Sequence, residues 1–307
     1  MPLVFPERWQ ALQLDGSATQ IDFTNDGSLM AVALAGGDGG ASAPCIAVYR
    51  TEDGSLVASH GHGGYAGRGV AFTGDHLHFG VEDARHKVTL MRVPAAGGEP
   101  ARVAEYHHDE AISALARSRD GVFLAVLGAG AEVWQLELGE VVRSKQGVNR
   151  HQPMRACFSP DSRYLYLYGT VEGQVVVLDI AEDEVVHQLP GPQPFGGAIS
   201  VSPTGEHLYV VGQHTSGAFL YRVPAGERLL SQQYGAGMGQ TMPGAFSCDG
   251  SALLHPTDLV RLPSGEIEFL PLASPGRGIA MTSAWEAPVV AYSNYNGDLF
   301  WIRYEVK

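Results

Sequence analysis

Residues 159–168 read Ser-Pro-Asp-Ser-Arg-Tyr-Leu-Tyr-Leu-Tyr, a polar turn followed directly by an aromatic and aliphatic run. In such a turn Ser159 and Asp161 cap backbone groups with their side chains, while Pro160 presets φ. A short continuous apolar run rich in aromatic residues, here Tyr164–Tyr168, is typical of a strand that is covered on both faces. The stretch therefore predicts a tight β-hairpin that is packed between two neighbouring layers.

This turn and its apolar run recur along the whole chain. The seven turns begin at Thr24, Thr73, Ser118, Ser159, Ser202, Ser247 and Ser283, the last one being the degenerate Ser283-Ala284-Trp285-Glu286. Successive first residues are 49, 45, 41, 43, 45 and 36 apart, close to the unit length of propeller families. The repeat therefore predicts seven structural units.

Each unit supplies four strands. After the turn and its run, a third strand ends at a second recurrent turn, as Val177-Leu178-Asp179 does before Glu182-Asp183. A fourth strand then leads out of the unit, as in Val185-Val186-His187. Four strands and a loop make one propeller blade, so we expect an all-β, seven-bladed β-propeller of four-stranded antiparallel blades.

The two ends of the chain complete one another in this scheme. The last unit stops after its third strand, Leu299–Tyr304, whereas residues Trp9–Leu14 form a spare alternating strand before the first repeat. Pairing these segments would close the ring and remove its open sheet edges. We therefore expect one domain over residues 1–307, with 1–20 as the closing strand of the last blade and blades roughly at 21–64, 65–109, 110–151, 152–196, 197–239, 240–276 and 277–307.

The repeat resembles the WD-repeat and YVTN-like β-propeller superfamily. The resemblance rests on the Ser-Pro-Asp-Gly-like turns, the unit length, and the aromatic or aliphatic residue before a polar one at the third strand. The sequence departs from the family in that Leu178-Asp179 is the nearest approach to a Trp-Asp dipeptide and only Gly61-His62 supplies the usual Gly-His dipeptide. It covers almost the whole chain and is a resemblance of fold. It implies a platform for protein contacts more often than a reaction.

The charge composition of the chain limits the classes of partner that we expect it to bind. The chain has 20 basic and 33 acidic residues and a net charge of −13, which repels nucleic acid and anionic lipid and suits a basic or neutral protein. The simpler alternative is that the acidic surface only keeps the protein soluble. We expect a protein partner, and neither nucleic acid nor a membrane.

The cysteines and the N-terminus indicate a compartment. Cys45, Cys157 and Cys248 are an odd number, widely separated and without a CxxC pair, so neither a disulfide nor a zinc framework is expected. The first ten residues lack the continuous apolar stretch of a signal peptide. These features predict a cytoplasmic protein with free thiols.

The candidate binding residues lie on one rim of the predicted propeller, named here the upper rim. It consists of the loops between second and third strands and the loops between blades, which commonly carry function. Tyrosine, arginine, methionine and aromatic side chains are frequent anchors in protein interfaces. The candidates are Tyr65, Arg68, Arg85, Arg150, Phe195, Met238 and Tyr295. For each, the alternative is an ordinary loop residue packed on its neighbour.

Catalytic and metal sites receive less support from the sequence. The chain has 12 histidines, but neither His60 with His62 nor His107-His108 with Asp109 supplies three well-spaced donors, which is about what a catalytic zinc needs. Histidines converging from several blades would still form a site. The Gly-rich stretches lack a phosphate-loop pattern and no GxSxG elbow occurs. We therefore expect no metal and no cofactor, and assign no catalytic residue.

Two functions from different classes remain. The first is a non-catalytic binding or scaffold protein that holds a protein partner on the upper rim, with a regulator or a toxin-neutralising factor as candidate roles. The second is a lactonase-like or lyase-like propeller enzyme that acts on a small molecule at the central axis. An enzyme should gather carboxylates and imidazoles with perturbed pKa values around the axis, whereas a platform should expose an apolar or aromatic rim.

Overall fold

The computed structural model describes most of the chain. Described are residues 3–6, 9–35, 45–60, 66–82, 87–106, 112–128, 130–136, 140–146, 155–169, 173–192, 197–212, 217–232, 244–255, 258–262, 264–265, 267–269, 278–294 and 296–307. Within these ranges every regular element is a β-strand. None of them contains a helix long and apolar enough to span a membrane.

The strands form seven four-stranded antiparallel sheets, one for each predicted blade. Blade 1 contains β3 (Ser17–Phe23), β4 (Leu29–Ala35), β5 (Ile46–Arg50) and β6 (Leu56–His60). Blade 2 contains β7 (Ala66–Thr73), β8 (His76–Glu82), β9 (Val88–Pro94) and β10 (Ala101–Tyr106). Blade 3 contains β11 (Ala114–Arg117), β12 (Phe123–Leu127), β13 (Gly130–Gln135) and β14 (Glu140–Gln146). Blade 4 contains β15 (Arg155–Phe158), β16 (Tyr164–Tyr168), β17 (Gln174–Asp179) and β18 (Glu184–Pro190).

Blades 5 to 7 continue the pattern. Blade 5 contains β19 (Ala198–Val201), β20 (His207–Val211), β21 (Ala218–Arg222) and β22 (Glu227–Gln232). Blade 6 contains β23 (Ala245–Phe246), β24 (Ala252–Leu254), β25 (Asp258–Arg261) and β26 (Ile267–Phe269). Blade 7 contains β27 (Gly278–Ser283), β28 (Val289–Asn294), β29 (Asp298–Arg303) and the N-terminal β2 (Gln10–Gln13). The first strands of neighbouring blades contact one another around the full ring, from β3 through β27 and back to β3. The predicted seven-bladed propeller is confirmed.

The N-terminal strand closes the ring as predicted. Strand β2 pairs antiparallel with β29, with Gln10 opposite Trp301 and Gln13 opposite Asp298. A second pairing of the chain ends was not predicted: β1 (Leu3–Val4) pairs with β30 (Glu305–Val306). The last blade is thus completed by the start of the chain.

The hydrophobic core consists of clusters between blades. Each of the seven blade interfaces holds one cluster of buried side chains among the described residues. Second strands contribute to two neighbouring clusters: in β4, Val32 packs toward blade 7 and Ala33 toward blade 2. Burial on both faces explains why these strands read as continuous apolar runs.

The recurrent turn is a capped hairpin turn. In blade 4 the Ser159 hydroxyl donates to Asp161 Oδ1 at 2.5 Å, and the Tyr164 N–H donates to Ser159 Oγ at 2.8 Å. The fourth turn residue has positive φ, as in Gly121 at 73° and Ser162 at 61°. The turn chemistry read from the sequence is therefore present in the structure.

The fourth strands carry a recurrent bulge that the sequence did not reveal. In blades 1 to 5 the pairing of third and fourth strands shifts by one residue near the start of the fourth strand. The extra residues are Val57, Val103, Val142, Val186 and Leu229. A bulge twists an edge strand away from a partner edge and disfavours edge-to-edge aggregation.

Candidate functional site

The predicted rim residues lie almost entirely outside the part of the chain that the structure describes. Tyr65, Arg85, Arg150, Phe195, Met238 and Tyr295 lie outside the described residues. Arg68 lies in β7, but its side chain is also outside them. The predictions at these seven positions therefore stay predictions.

The site that the structure does describe is the central channel. It is a cavity of about 170 Å³ whose walls are the first strands of six blades. The described residues of blade 6, whose first strand β23 has two residues, are not part of this wall. The wall residues are 19–22, 70–71, 114–117, 155–158, 198–201, 203 and 281–285.

One side of the channel wall is held by the amide of Gln20. Its Nε2 donates to the carbonyl of Val70 in blade 2 at 3.0 Å and to that of Leu115 in blade 3 at 2.6 Å. The Leu115 N–H donates back to its Oε1 at 3.2 Å. Gly69 makes room for this bridge, because a Cβ there would lie 3.1 Å from Gln20 Oε1 and 2.9 Å from Leu115 N. Blade 1 is thereby joined to blade 3 across blade 2.

An ion pair repeats this bridge nearer the lower end of the channel. Asp22 Oδ2 accepts from Arg117 Nε in blade 3 at 2.9 Å and from the Phe72 N–H in blade 2 at 2.8 Å. The Arg117 side chain is 5% exposed and that of Asp22 17% exposed. Arg117 also donates to Phe23 O at 2.8 Å and to Asn25 Oδ1 at 2.5 Å. Because both side chains are hydrogen-bonded, this partly buried pair fixes the positions of the first strands relative to one another. Removal of one partner would leave the other charge partly buried and unpaired.

Trp285 lies across the lower end of the channel. It belongs to the degenerate turn of blade 7, yet it packs against the cluster between blades 4 and 5. The Arg119 guanidinium of blade 3 lies 5.9 Å from the centre of the indole ring. The neighbouring Glu286 N–H donates to Asn25 O of blade 1 at 3.1 Å. A side chain that starts on blade 7 and reaches blades 3, 4 and 5 must cross the channel.

Blade 4 contributes a further cation and a thiol to the wall. Arg155 and Cys157 are partly buried and stand two residues apart in β15, so they share one face of that strand. Burial lowers the pKa of the Arg155 guanidinium and raises that of the Cys157 thiol. Cys157 is therefore a neutral thiol at neutral pH.

The histidines in the described part of the chain do not form a metal-binding cluster. Those residues contain no group of three or more His, Cys, Asp or Glu side chains arranged to hold a metal ion. His60, which the sequence analysis considered together with His62, is buried and stacks on Phe79 with ring centroids 5.4 Å apart. His62, His107, His108 and Asp109 lie outside the described residues.

Comparison with known proteins adds no relative. Neither the models of known protein families nor the curated proteins give a match to this chain. The seven-bladed propeller architecture is shown by the strand order. The resemblance to WD-repeat and YVTN-like propellers stays a prediction from the turn motifs.

The channel residues were missed when the sequence alone was considered. Gln20 and Leu115 are 95 positions apart, as are Asp22 and Arg117, so spacing gives no hint of their contact. A local signal did exist. Gln20, Asp22, Arg117 and Arg155 are polar residues in first strands, whose other positions are largely apolar. A polar residue in a strand near the axis is a candidate for the channel wall, as a buried polar group needs a partner.

Proposed function

We propose that this protein is a non-catalytic binding platform that holds a protein partner on its upper rim, with a regulator or a toxin-neutralising factor as candidate roles. The proposal rests on the structural role of the Asp22–Arg117 ion pair. Both groups bond to one another and to backbone of other blades. The charged pair of the lower channel therefore serves to hold the blades in place.

A braced ring supports binding because it positions loops. Residues in loops on a rigid scaffold meet a partner with little ordering cost. Six of the seven rim candidates come from six different loops, four between blades and two between second and third strands, so they supply anchors from several directions. Their residue types are those of interface hot spots.

The net charge of the chain and its free thiols support a particular kind of partner and a particular compartment for the proposed function. The net charge of −13 favours a basic partner over nucleic acid or an anionic membrane. Cys45, Cys157 and Cys248 are free, and burial raises the pKa of Cys45 to about 11. Unpaired thiols suit a reducing compartment, so we also propose a cytoplasmic location.

The test is capture of the partner with three proteins: the wild type, a rim variant and a control. The rim variant carries Tyr65→Ala, Arg150→Ala and Tyr295→Ala. The control carries Leu56→Ala, Arg102→Ala and Leu229→Ala, which are exposed positions on outer strands. We expect one stoichiometric partner that the wild type and the control retain and the rim variant loses.

Salt provides a second criterion in the same experiment. Attraction between an acidic platform and a basic partner weakens as ionic strength rises. The retained partner should have a basic isoelectric point and elute earlier at higher salt. A partner held equally by the rim variant, or the absence of any stoichiometric partner, would contradict the proposal.

A further inference from the structure

The outer strands of blades 4 and 5 carry most of the exposed large apolar side chains. Six such side chains are exposed within the described residues, and four of them lie on β18 and β22: Val185, Val186, Leu229 and Leu230. Single exposed apolar residues are ordinary on a protein surface, whereas a group of them on neighbouring elements marks an interaction site. These two strands are therefore a candidate interface.

The same bulge position is covered elsewhere in the ring. The extra residue of the fourth strand packs against the cluster between blades 1 and 2 in the case of Val57, and between blades 2 and 3 in the case of Val103. Its counterparts in blades 4 and 5, Val186 and Leu229, are 39% and 36% exposed. Covering apolar side chains that are in contact with water is favourable.

The two strands adjoin and form one surface. Gly226, just before β22, lies against β18, because a Cβ at Gly226 would be 2.6 Å from Leu189 Cδ2. The Tyr221 hydroxyl of blade 5 donates to Pro190 O at the end of β18. Every residue in 182–188 and in 227–231 is exposed. These two runs are named here the blade 4–5 face.

The two halves of the blade 4–5 face carry opposite charges. On the β18 half, Glu182 and Glu184 are exposed, and neither carboxylate forms an ion pair within the described part of the chain. On the β22 half, Glu227 is paired with Arg222. Arg228 is exposed there and has no acidic partner among the residues that the structure describes. The acidic half of one copy therefore complements the basic half of another.

We propose that the blade 4–5 face joins two copies of this chain in a two-fold symmetric dimer, with β18 of each copy against β22 of the other. Every contact in such a dimer occurs twice, so the valines of each copy cover the leucines of the other. A basic protein of a different sequence would match only the acidic half. The bulges at Val186 and Leu229 disfavour continuous strand pairing, so the contact is made by side chains.

The expected dimer is reversible. The blade 4–5 face offers two runs of seven and five exposed residues, fewer than the roughly 20–30 on each side of a standard interface. The net charge of −13 on each copy opposes association, but beyond about 8 Å it is largely screened at physiological salt. The dimer leaves the upper rim open, so this inference goes beyond the proposed platform function and does not rest on it.

The first test is sedimentation equilibrium of the intact wild-type protein at physiological salt, from about 1 to about 200 µM, a range that brackets a weak dimer. We expect the average mass to rise with concentration from that of one chain toward that of two. A mass that stays at one chain over the whole range would overturn the dimer. A mass that continues to rise beyond two chains would overturn its closed two-fold symmetry.

The second test locates the interface with two matched variants. Val186→Asp places a charge on the blade 4–5 face, and Leu56→Asp places one on the exposed outer strand of blade 1. We expect Val186→Asp to weaken dimerisation at least tenfold and Leu56→Asp to leave it unchanged. Loss of the dimer in both variants, or in neither, would overturn the assignment to this face.

The third test uses charge reversal and does not depend on a loss of function. A variant with Glu182→Lys and Glu184→Lys presents base in both halves of the face, and Arg228→Glu presents acid in both. Each variant alone should be monomeric at concentrations where the wild type dimerises. Their equimolar mixture should dimerise, because both contacts of the mixed dimer join acid to base. A mixture that stays monomeric, or a single variant that dimerises like the wild type, would overturn the proposal.

Discussion

At the scale of single residues, Ser162 shows how one turn is coupled to the next. It occupies the left-handed turn position that glycine holds in blades 1, 3, 5 and 6, with φ at 61°. Its hydroxyl donates to Asp120 Oδ2 in the turn of blade 3 at 2.8 Å. Although burial alone raises the pKa of Asp120, hydrogen bonds from Ser118, Val122 and Ser162 lower it below the usual value. Ser162 thus combines a strained left-handed backbone conformation with a hydrogen bond that joins blade 4 to blade 3.

Two substitutions separate strain from hydrogen bonding at this position. Ser162→Ala should lower the free energy of unfolding by about 1 kcal/mol, because the bond is lost and the strain remains. Ser162→Gly should be close to neutral, because relief of about 1 kcal/mol of left-handed strain offsets the same loss. Urea unfolding at pH 7 measures both. An alanine variant as stable as the wild type would refute the hydrogen bond between the turns, and an alanine variant as stable as the glycine variant would refute the backbone strain.

His78 is a buried histidine with a predicted effect on acid stability. Burial is the main cause that lowers its pKa to about 4, and the nearby Arg92 and His76 charges contribute to that shift. Its Nδ1 lies 2.8 Å from Thr73 Oγ1. Because the folded pKa is below the unfolded value of about 6.5, the folded state favours the neutral ring, and stability is complete above that pH and is lost as pH falls toward 4.

The size of this effect follows from the two pKa values. Between pH 7 and pH 5 the wild type should lose about 2 kcal/mol of unfolding free energy through His78. His78→Gln should be less stable at pH 7 but should lack this share of the pH dependence. Denaturant unfolding at both pH values tests it. Parallel pH profiles for the two proteins would show that His78 does not titrate as stated.

At the scale of elements, the closing strand can be tested by proline substitution. The Leu14 N–H donates to Gly297 O at 2.8 Å, and bonded and non-bonded pairs alternate along antiparallel strands. The Leu12 N–H therefore points to β29, and the Ala11 N–H points away from it. Leu12→Pro should lower the melting temperature through loss of a ladder bond, at least about 1 kcal/mol, whereas Ala11→Pro should be tolerated. Equal effects of the two prolines would contradict the closing pair.

Elements were predictable from the sequence to the extent that their causes are local. Turn chemistry and apolar runs act within about ten residues, and they located the hairpin of blade 4, whose second strand is Tyr164–Tyr168 as expected. The bulge at Val186 was not predictable, since it depends on how β18 pairs with β17. The Asp22–Arg117 bridge was not predictable either, because it depends on two strands meeting near the axis.

Trp285 illustrates the same limit within a predicted element. The degenerate turn of blade 7 was recognised from its position in the repeat, and the structure has a turn there between β27 and β28. The missing aspartate and glycine indicated only a weaker motif. The structure shows that the turn carries an indole across the channel to the cluster between blades 4 and 5. A departure from a repeat can thus mark a residue that contacts distant units.

At the scale of the whole molecule, the contacts that skip a blade distinguish this ring from an open repeat array. In a linear solenoid each unit contacts only its neighbours, and units can unfold in sequence. Here Gln20 and Asp22 join blade 1 to blade 3, and Trp285 joins blade 7 to blades 3, 4 and 5. Loss of one blade would therefore remove support from several others. We propose on this basis that residues 1–307 fold as one domain.

This coupling predicts a single cooperative unfolding transition. The four tryptophans, Trp9, Trp134, Trp285 and Trp301, report on the N-terminal segment, blade 3 and blade 7, whereas far-ultraviolet circular dichroism reports on all strands. The two signals should give the same urea midpoint and slope. Arg117→Met should move both midpoints together, because the unpaired Asp22 carboxylate destabilises blades 1 and 3 at once. Separate midpoints in the wild type would show that the blades unfold independently and that the bridges across the channel do not couple them.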